Sequence, residues 1–424
     1  MRATTAFNRM LQIPGATVAG VTFTPDAVVV SLRRRFRRLT CPCGWSTRAV
    51  YDRAVRRWRH LDLGASRLLL QAEIRRLACR ACGRVRTEAV PWARPGARHT
   101  RDFEDVTTWL AQRTDKTTVA RLLRCSWQTV ADIVTRVVTA AVDDTRLDNL
   151  YRIGVDEISY RTGHRYLTVV ADHDRDGAIV WAGEGKNAAT LERFYNELGP
   201  DRAAKLTAAS MDMGGAYATA TRAKAPQAAQ CVDPFHVIKL ANDAIDTTRR
   251  WVWNTARAGR PAADPRGRPR QTSPNGSPAE KIKHVRWALL KDPATLTDPQ
   301  RAALDTLRRS RHILFRAWLL KEELRDLYKL DDPNQAPGHL DRWLAHACRS
   351  RIPAMLKLSR TLRKHRDRIL AAIKLGLSNS KLEGLNSKTR LISHRGYGFH
   401  SAKSLIAMLY LCSGGITIEL PTKT

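Results

Sequence analysis

A chain of 424 residues with 43% hydrophobic and 27% charged residues is long enough for roughly two to four packed domains and too apolar to be mainly disordered. Its 73 Lys and Arg against 40 Asp and Glu give a formal charge of +33, which repels itself in a compact state unless a polyanion supplies counter-charge, so nucleic acid is the expected partner. Basic ribosomal and membrane-surface proteins share that balance, but they are usually shorter or carry a basic amphipathic helix.

No run of about 18 apolar residues occurs, and the opening MRATTAFNRMLQIPG lacks a basic segment followed by an apolar run and a cleavage site. A soluble, cytoplasmic protein without a membrane partner is expected. Eight cysteines are too sparse for a disulfide framework. Cys125, Cys231, Cys348 and Cys412 read as small buried residues.

Residues 17 to 90 alternate apolar and polar side chains, as in VTFTPDAVVVSL and LLLQAEIRRL, which predicts half-buried strands and a small β module over 1–95. Cys41-Pro-Cys43-Gly and Cys79-Arg-Ala-Cys82-Gly stand at strand ends, and four thiolates can close a tetrahedral structural zinc site that adds folding free energy to a module with little core. The first pair has only one intervening residue, so two alternatives stay open: His60 replacing Cys41 or Cys43 as a ligand, or four reduced free thiols.

From 101 to 143 the period becomes helical, with Val130, Ile133, Val134 and Val137 at i, i+3, i+4 and i+7. Thr117 can cap a short helix carrying Val119, Leu122 and Leu123, and after an Arg124-Cys125 turn Ser126 can cap a second helix beginning Trp127-Gln128-Thr129. Two capped helices joined tightly predict a helix-turn-helix within 96–148. Gln128 and Thr129 then become candidate base readers and Arg136 a candidate phosphate contact, while Trp127 reads as a packing residue.

The segment YRIGVDEISYRTGHRYLTVVADHDRDGAIVWAGE reads as three antiparallel strands with turns near Thr162-Gly163 and 174 to 177. Asp156 lies inside the first. A helical stretch over Ala188–Leu198 follows, then the strand KLTAASMD ending at Asp212, with Gly214-Gly215 opening the next helix. Three meandering strands followed by strand and helix units suggest a ribonuclease-H-like core, 149–246, in which the first and fourth strands are neighbours and their carboxylates meet.

Residues 256 to 278 are rich in Pro, Gly and Arg and predict a linker; Pro265-Arg266-Gly267-Arg268-Pro269 matches an AT-hook core, so Arg266 and Arg268 are either minor-groove contacts or part of a solvated basic loop. Long helices then run to about Lys374, giving a basic linker and all-α insertion over 247–370. The stripe Ile313, Ala317, Leu320, Leu324 and Leu327 faces either the protein's own core or a dimer partner. In the last part, 371–424, SNSKLEGLNSKTRLISHRGYGF sets Asn379, Glu383, Asn386 and Arg390 on one helical face. Magnesium or manganese takes hard oxygen ligands, and two such ions among converging carboxylates activate an attacking oxygen and stabilise a leaving one. By composition alone each of these acids is more readily a surface charge than a ligand, and Glu157, Asp172, Asp174, Asp176 and Glu184 share the strand region.

GVDE (154–157), SMDMGGAYATA (210–220), DPFHVIKL (233–240) and SNSKLEGLNSKTRLISHRGYGF (378–399) together make the chain resemble the ISL-three family of bacterial insertion-sequence transposases over essentially its whole length. That resemblance implies an α/β multi-domain protein with a zinc-binding module, a helix-turn-helix, and a ribonuclease-H-like catalytic core interrupted by a helical insertion. It implies Asp156, Asp212 and Glu383 as the catalytic and magnesium-binding trio, with Asn386, Lys388 and Arg390 as DNA contacts beside the glutamate. His236, in the Asp-x-Phe-His stretch, either touches substrate or metal or makes a structural hydrogen bond. The expected partners are double-stranded DNA, as terminal inverted repeats and target, and a second copy of the chain when DNA is bound. A catalytically silent DNA-binding protein and a nuclease of the same fold without strand joining are the rivals.

Overall fold

Alternating apolar side chains bury one face of the segments Ala16–Phe23 and Ser66–Ala78 in the N-terminal part and so build a sheet rather than helices. The computed structural model describes residues 2–161, 163, 165–258, 282, 284–310, 312–377, 391–392 and 401–422. The chain forms two compact units, Met1–Arg146 with Thr389–Thr424, and Leu147–Lys388.

The first unit opens with α1 (Ala3–Leu11), followed by β1 (Ala16–Phe23), β2 (Ala27–Arg34), β3 (Leu39–Thr40), β4 (Ser46–Thr47), β5 (Asp52–Leu63), β6 (Ser66–Ala78) and β7 (Val85–Thr87). The sheet runs β1-β2-β6-β5, with β7 on β6. Val28, Val30 and Leu32 of β2 share one buried face with Leu68, Leu70 and Ile74 of β6, and Trp58 meets Trp92 edge to face at 5.7 Å. Three helices follow: α2 (Arg101–Ala111), α3 (Lys116–Leu122) and α4 (Trp127–Ala141). Val130, Ile133, Val134 and Val137 are all buried, as their spacing predicts.

Asp115, not Thr117, caps α3: its carboxylate accepts the Thr118 N–H at 2.9 Å. A carboxylate at this position also gains from the helix dipole, which explains why it prevails over the threonine hydroxyl. The helix Ala402–Ser413 packs on α4, and Gln112 Nε2 donates to the Leu411 carbonyl at 2.7 Å. Residues 371–424, read from sequence as one C-terminal part of the core, are thus divided between the two units.

In the second unit β8 (Arg152–Arg161), β9 (Arg165–Asp172) and β10 (Ala178–Glu184) form an antiparallel meander. Next come α5 (Ala188–Leu198), the short α6 (Pro200–Ala203), β11 (Ala208–Met211), α7 (Gly215–Lys224), β12 (Ala229–Val232) and α8 (Pro234–Ala258). The sheet order is β10-β9-β8-β11-β12, with β11 parallel to both β8 and β12. Ile153, Val155, Ala209 and Met211 face a core shared with α5 and α7. On the opposite face Ala208 and Cys231 pack against Ala372 and Leu377, at and beyond the helix Arg366–Lys374.

Helix α8 runs unbroken across residue 246, where the sequence reading ended the first part of the core. Val237, Ala241 and Ile245 on α8 share one core with Ala317, Leu320, Leu324, Trp343, Met355 and Leu362. The stripe from Ile313 to Leu327 therefore faces its own unit's interior. Of the four scattered cysteines only Cys231 is fully buried. Among the described residues no helix is long and apolar enough to cross a membrane.

Candidate active site and DNA-binding modules

Parallel pairing sets Ala208 against Arg152, Ala209 against Ile153 and Ser210 against Gly154. Carried two residues further, that register sets Asp212, just past the end of β11, level with Asp156 in the middle of the neighbouring β8, and neighbouring strands lie about 4.8 Å apart in any sheet. Alternation turns both away from the core that holds Val155 and Met211. Both aspartates are half-buried, and Asp212 follows the carboxyl end of a parallel strand, where open α/β sheets bind ligands.

The loop after β11 is shaped around Asp212. Its Oδ1 accepts the Gly214 N–H at 2.9 Å, and a Cβ on Gly214 would lie 2.9 and 3.0 Å from the two carboxylate oxygens. Arg368, from the helix covering this face, donates Nη2 to the Asp212 carbonyl at 3.2 Å. Burial pulls the Arg368 guanidinium below the usual arginine value, with the charge of Asp212 opposing. His365 is also lowered, by burial and then by Arg368 and Lys364. Burial, followed by the charge of Asp212, pushes the Glu157 carboxyl up; the Tyr217 hydroxyl and Lys186 oppose, and Asp156 adds a smaller push. Negative charge is therefore concentrated at this end of the sheet, the condition under which a divalent cation is favoured.

Arg368 and Glu157 were not singled out by sequence. Arg368 sits in a helix without a motif, and Glu157 is one acid among many, whereas the Gly-Gly after Asp212 was a visible signal. His236 lies in the first turn of α8, just after β12, with Nε2 3.9 Å from Asp233 and its ring edge-on to Phe235 at 5.5 Å. Glu383, Asn386, Lys388 and Arg390, and the linker residues Arg266 and Arg268, lie outside the described residues.

Among the described residues the metal-ligand group of three or more side chains is Cys41, Cys43, Cys79 and Cys82, whose sulfurs all lie within 4.8 Å of one another. Cys41 and Cys82 are 3.8 Å apart and Cys43 and Cys79 3.5 Å, close to the roughly 3.8 Å between sulfurs of a tetrahedral zinc with 2.3 Å bonds. The short first pair still forms a knuckle: the Gly44 N–H donates to the Cys41 carbonyl at 2.9 Å, as Gly83 does to Cys79. Both glycines have positive φ, +91° and +66°, which a side chain disfavours. The alternative ligand His60 is not part of this group: its Nδ1 is hydrogen-bonded to Thr100 Oγ1 at 2.8 Å and its Nε2 faces Asp102 at 4.0 Å.

In α4 the Ser126 hydroxyl accepts the Thr129 N–H at 3.1 Å. Gln128 is exposed, with Nε2 held 2.9 Å from Asp132 Oδ1, and Thr129 Oγ1 contacts Ser126 Oγ at 2.9 Å. Trp127, read as a packing residue, is instead 49% exposed beside them. At the turn Arg124 adopts φ +51° and pairs with Asp62. Arg136 is ion-paired with Glu104, whose side chain is fully buried and also holds Arg94. Its guanidinium is fixed from beneath and one-third exposed.

A family model described as a transposase matches residues 153–409. A helix-turn-helix domain of transposase family ISL3 matches 88–138, and a zinc-finger of transposase IS204/IS1001/IS1096/IS1165 matches 37–82, the segments in which the capped helix pair and the sulfur cluster lie. The chain is 42% identical over 384 residues, 88% of its length, to 85% of a transposase for insertion sequence element IS1557 from Mycobacterium tuberculosis. It is 30% identical over 358 residues to a transposase for insertion sequence element IS1001 from Bordetella parapertussis, covering 84% of each chain. The four-cysteine cluster thus supports a structural zinc, the helix pair is a DNA-binding domain, and the chain belongs to the ISL3 family of DDE transposases of insertion sequences.

Proposed function

We propose that this transposase binds the terminal inverted repeats of its element through the zinc module and α4, cleaves the DNA at the element ends and joins the freed 3′-hydroxyls to target DNA. The observation that supports the chemistry is the parallel register of β8 and β11, which pairs Ser210 with Gly154 and, carried two residues further, sets Asp212 just past the end of β11 level with Asp156 in the middle of β8. Three antiparallel strands followed by two parallel ones with helices on both faces support a ribonuclease-H-like core, and the helices between Asp212 and Glu383 support a helical insertion within it. Asp156, Asp212 and Glu383 are the metal ligands of this reading.

Their oxygens are the hard donors that magnesium or manganese takes, and two bound ions would supply a water or 3′-hydroxyl activated for attack and a stabilised leaving oxygen. Gly214 leaves room for the Asp212 carboxylate, and Arg368 fixes the backbone that carries it. Gln128 and Thr129 at the start of α4 read base edges, with Arg53 and Arg57, exposed on one face of β5, facing phosphate. Two element ends held at once call for a DNA-bridged dimer.

Cleavage and joining of element-end DNA with magnesium tests the reading. Asp156→Ala, Asp212→Ala and Glu383→Gln should each lose orders of magnitude in rate while retaining end binding. A variant cleaving like wild type removes its residue from the site, and hydrolysis without joining by wild type replaces the transposition reading with a nuclease.

A further inference from the structure

The second unit carries a pocket of about 430 Å³ lined by Arg249, Arg250, Trp253, His284, Arg286 and Trp287. Arg249 and Arg250 come from α8, and Arg286 and Trp287 open the helix Arg286–Leu290. Asp246 is the carboxylate shared by all three arginines, 2.7 Å from Arg249, 2.5 Å from Arg250 and 3.6 Å from Arg286. Three guanidinium groups on one carboxylate leave the pocket with a positive excess. Arg250 and Arg286 are 68% and 47% exposed, so their outer faces are open to a further anion.

Trp287 is 58% exposed, and the Arg286 guanidinium lies 5.1 Å from its ring centroid. An indole face beside cations suits a flat, π-bearing ligand attached to negative charge, which is the chemistry of a nucleotide. A base inside a duplex presents only its edges, because both of its faces are stacked; a pocket that uses an indole face therefore selects a base that has left the helix. The excess of arginine without exposed acid among the lining side chains favours a phosphate-bearing partner over a protein hot spot.

We propose that this pocket receives an unpaired base of the DNA substrate, stacked on Trp287, with the flanking phosphates held by Arg250 and Arg286. The proposal rests on the reading that this chain acts on the ends of its element, and it adds that those ends are engaged in a frayed or single-stranded form.

The full-length protein without magnesium is titrated with a fully paired element-end duplex and with the same duplex bearing a three-nucleotide single-stranded extension. The extension carries 2-aminopurine as its first unpaired base. Wild type should bind the extended duplex about tenfold more tightly, the size of one stacked base, and quench the 2-aminopurine. Trp287→Ala should lose both effects with paired-duplex affinity unchanged, and Trp287→Phe should keep the quenching. Arg286→Ala should weaken binding of the extended duplex and reduce its salt dependence. Equal affinity of wild type for the two duplexes, or a Trp287→Ala protein that keeps the preference, overturns the proposal. So does an equal loss on both duplexes, which marks a general duplex contact. Failure of wild type to bind the paired duplex at all strikes the element-end reading instead.

Discussion

Gly214→Ala adds a methyl group 2.9 and 3.0 Å from the carboxylate oxygens of Asp212, well inside the roughly 3.5 Å at which non-bonded heavy atoms are comfortable. The backbone does not resist the change, since Gly214 has φ −62° and ψ 147°, a conformation open to any residue. It is the N-cap of α7, where alanine is less favourable than glycine by about 0.5–1 kcal/mol. A melting-temperature drop of about 2–4 °C bounds the effect on stability. The overlap is relieved most easily by turning the Asp212 side chain through about half an ångström. Displacement of a reacting group by about 1 Å costs about a hundredfold, so about tenfold is expected here. Single-turnover cleavage of element-end DNA with magnesium, run beside a thermal melt, reads both quantities. Cleavage within twofold of wild type would refute the claim that Gly214 is there to make room for a working carboxylate.

Cys82→Ser should strip zinc from the protein, because three thiolates and a hydroxyl are a far weaker set than four thiolates; a full zinc content by elemental analysis would reject the four-cysteine site. His99 is lowered to about 4 by burial and then by Arg136, Arg59 and Arg98. The unfolded chain therefore binds that proton first, and stability present above about pH 6.5 is lost as pH falls toward 4. With allowance for the ring's partial exposure the loss is about 1 kcal/mol at pH 5.5. His99→Gln should flatten that limb of the melting curve against pH, and superimposable curves would count against it. Gln128→Ala should relax discrimination at one or two base pairs of the element end by about 1–3 kcal/mol, measured against single-base variants of the site; unchanged discrimination would take Gln128 out of base reading.

Local periodicity carried the sequence reading far where one residue's environment depends on near neighbours. The buried face of α4, the three-strand meander and the helix Ala188–Leu198 follow from side-chain spacing alone. What escaped was set by distant sequence. That Arg136 is anchored on Glu104 depends on a carboxylate buried between α2 and α4, and nothing in RDFEDV marks Glu104 rather than Asp102 or Asp105 as the buried acid. Arg368 meets Asp212 only because its helix crosses the sheet at β12. Trp127 was assigned to packing by its size, yet at the first position of α4 it points outward while Val130 and Ala131 take the interior. The irregular Cys-Pro-Cys spacing left alternatives to the four-cysteine site open, because the knuckle depends on the glycine that follows it more than on the number of residues between the sulfurs.

The helix Ala402–Ser413 lies against α4, in the unit that begins at the other end of the chain. A ribosome delivers residues in order, so the helix-turn-helix waits for this packing partner until the whole second unit, Leu147–Lys388, has been synthesised. Polypeptides released early would carry α4 without the helix that packs against it. A chain cut short before residue 402 would therefore present its DNA-binding domain with one face of α4 left uncovered.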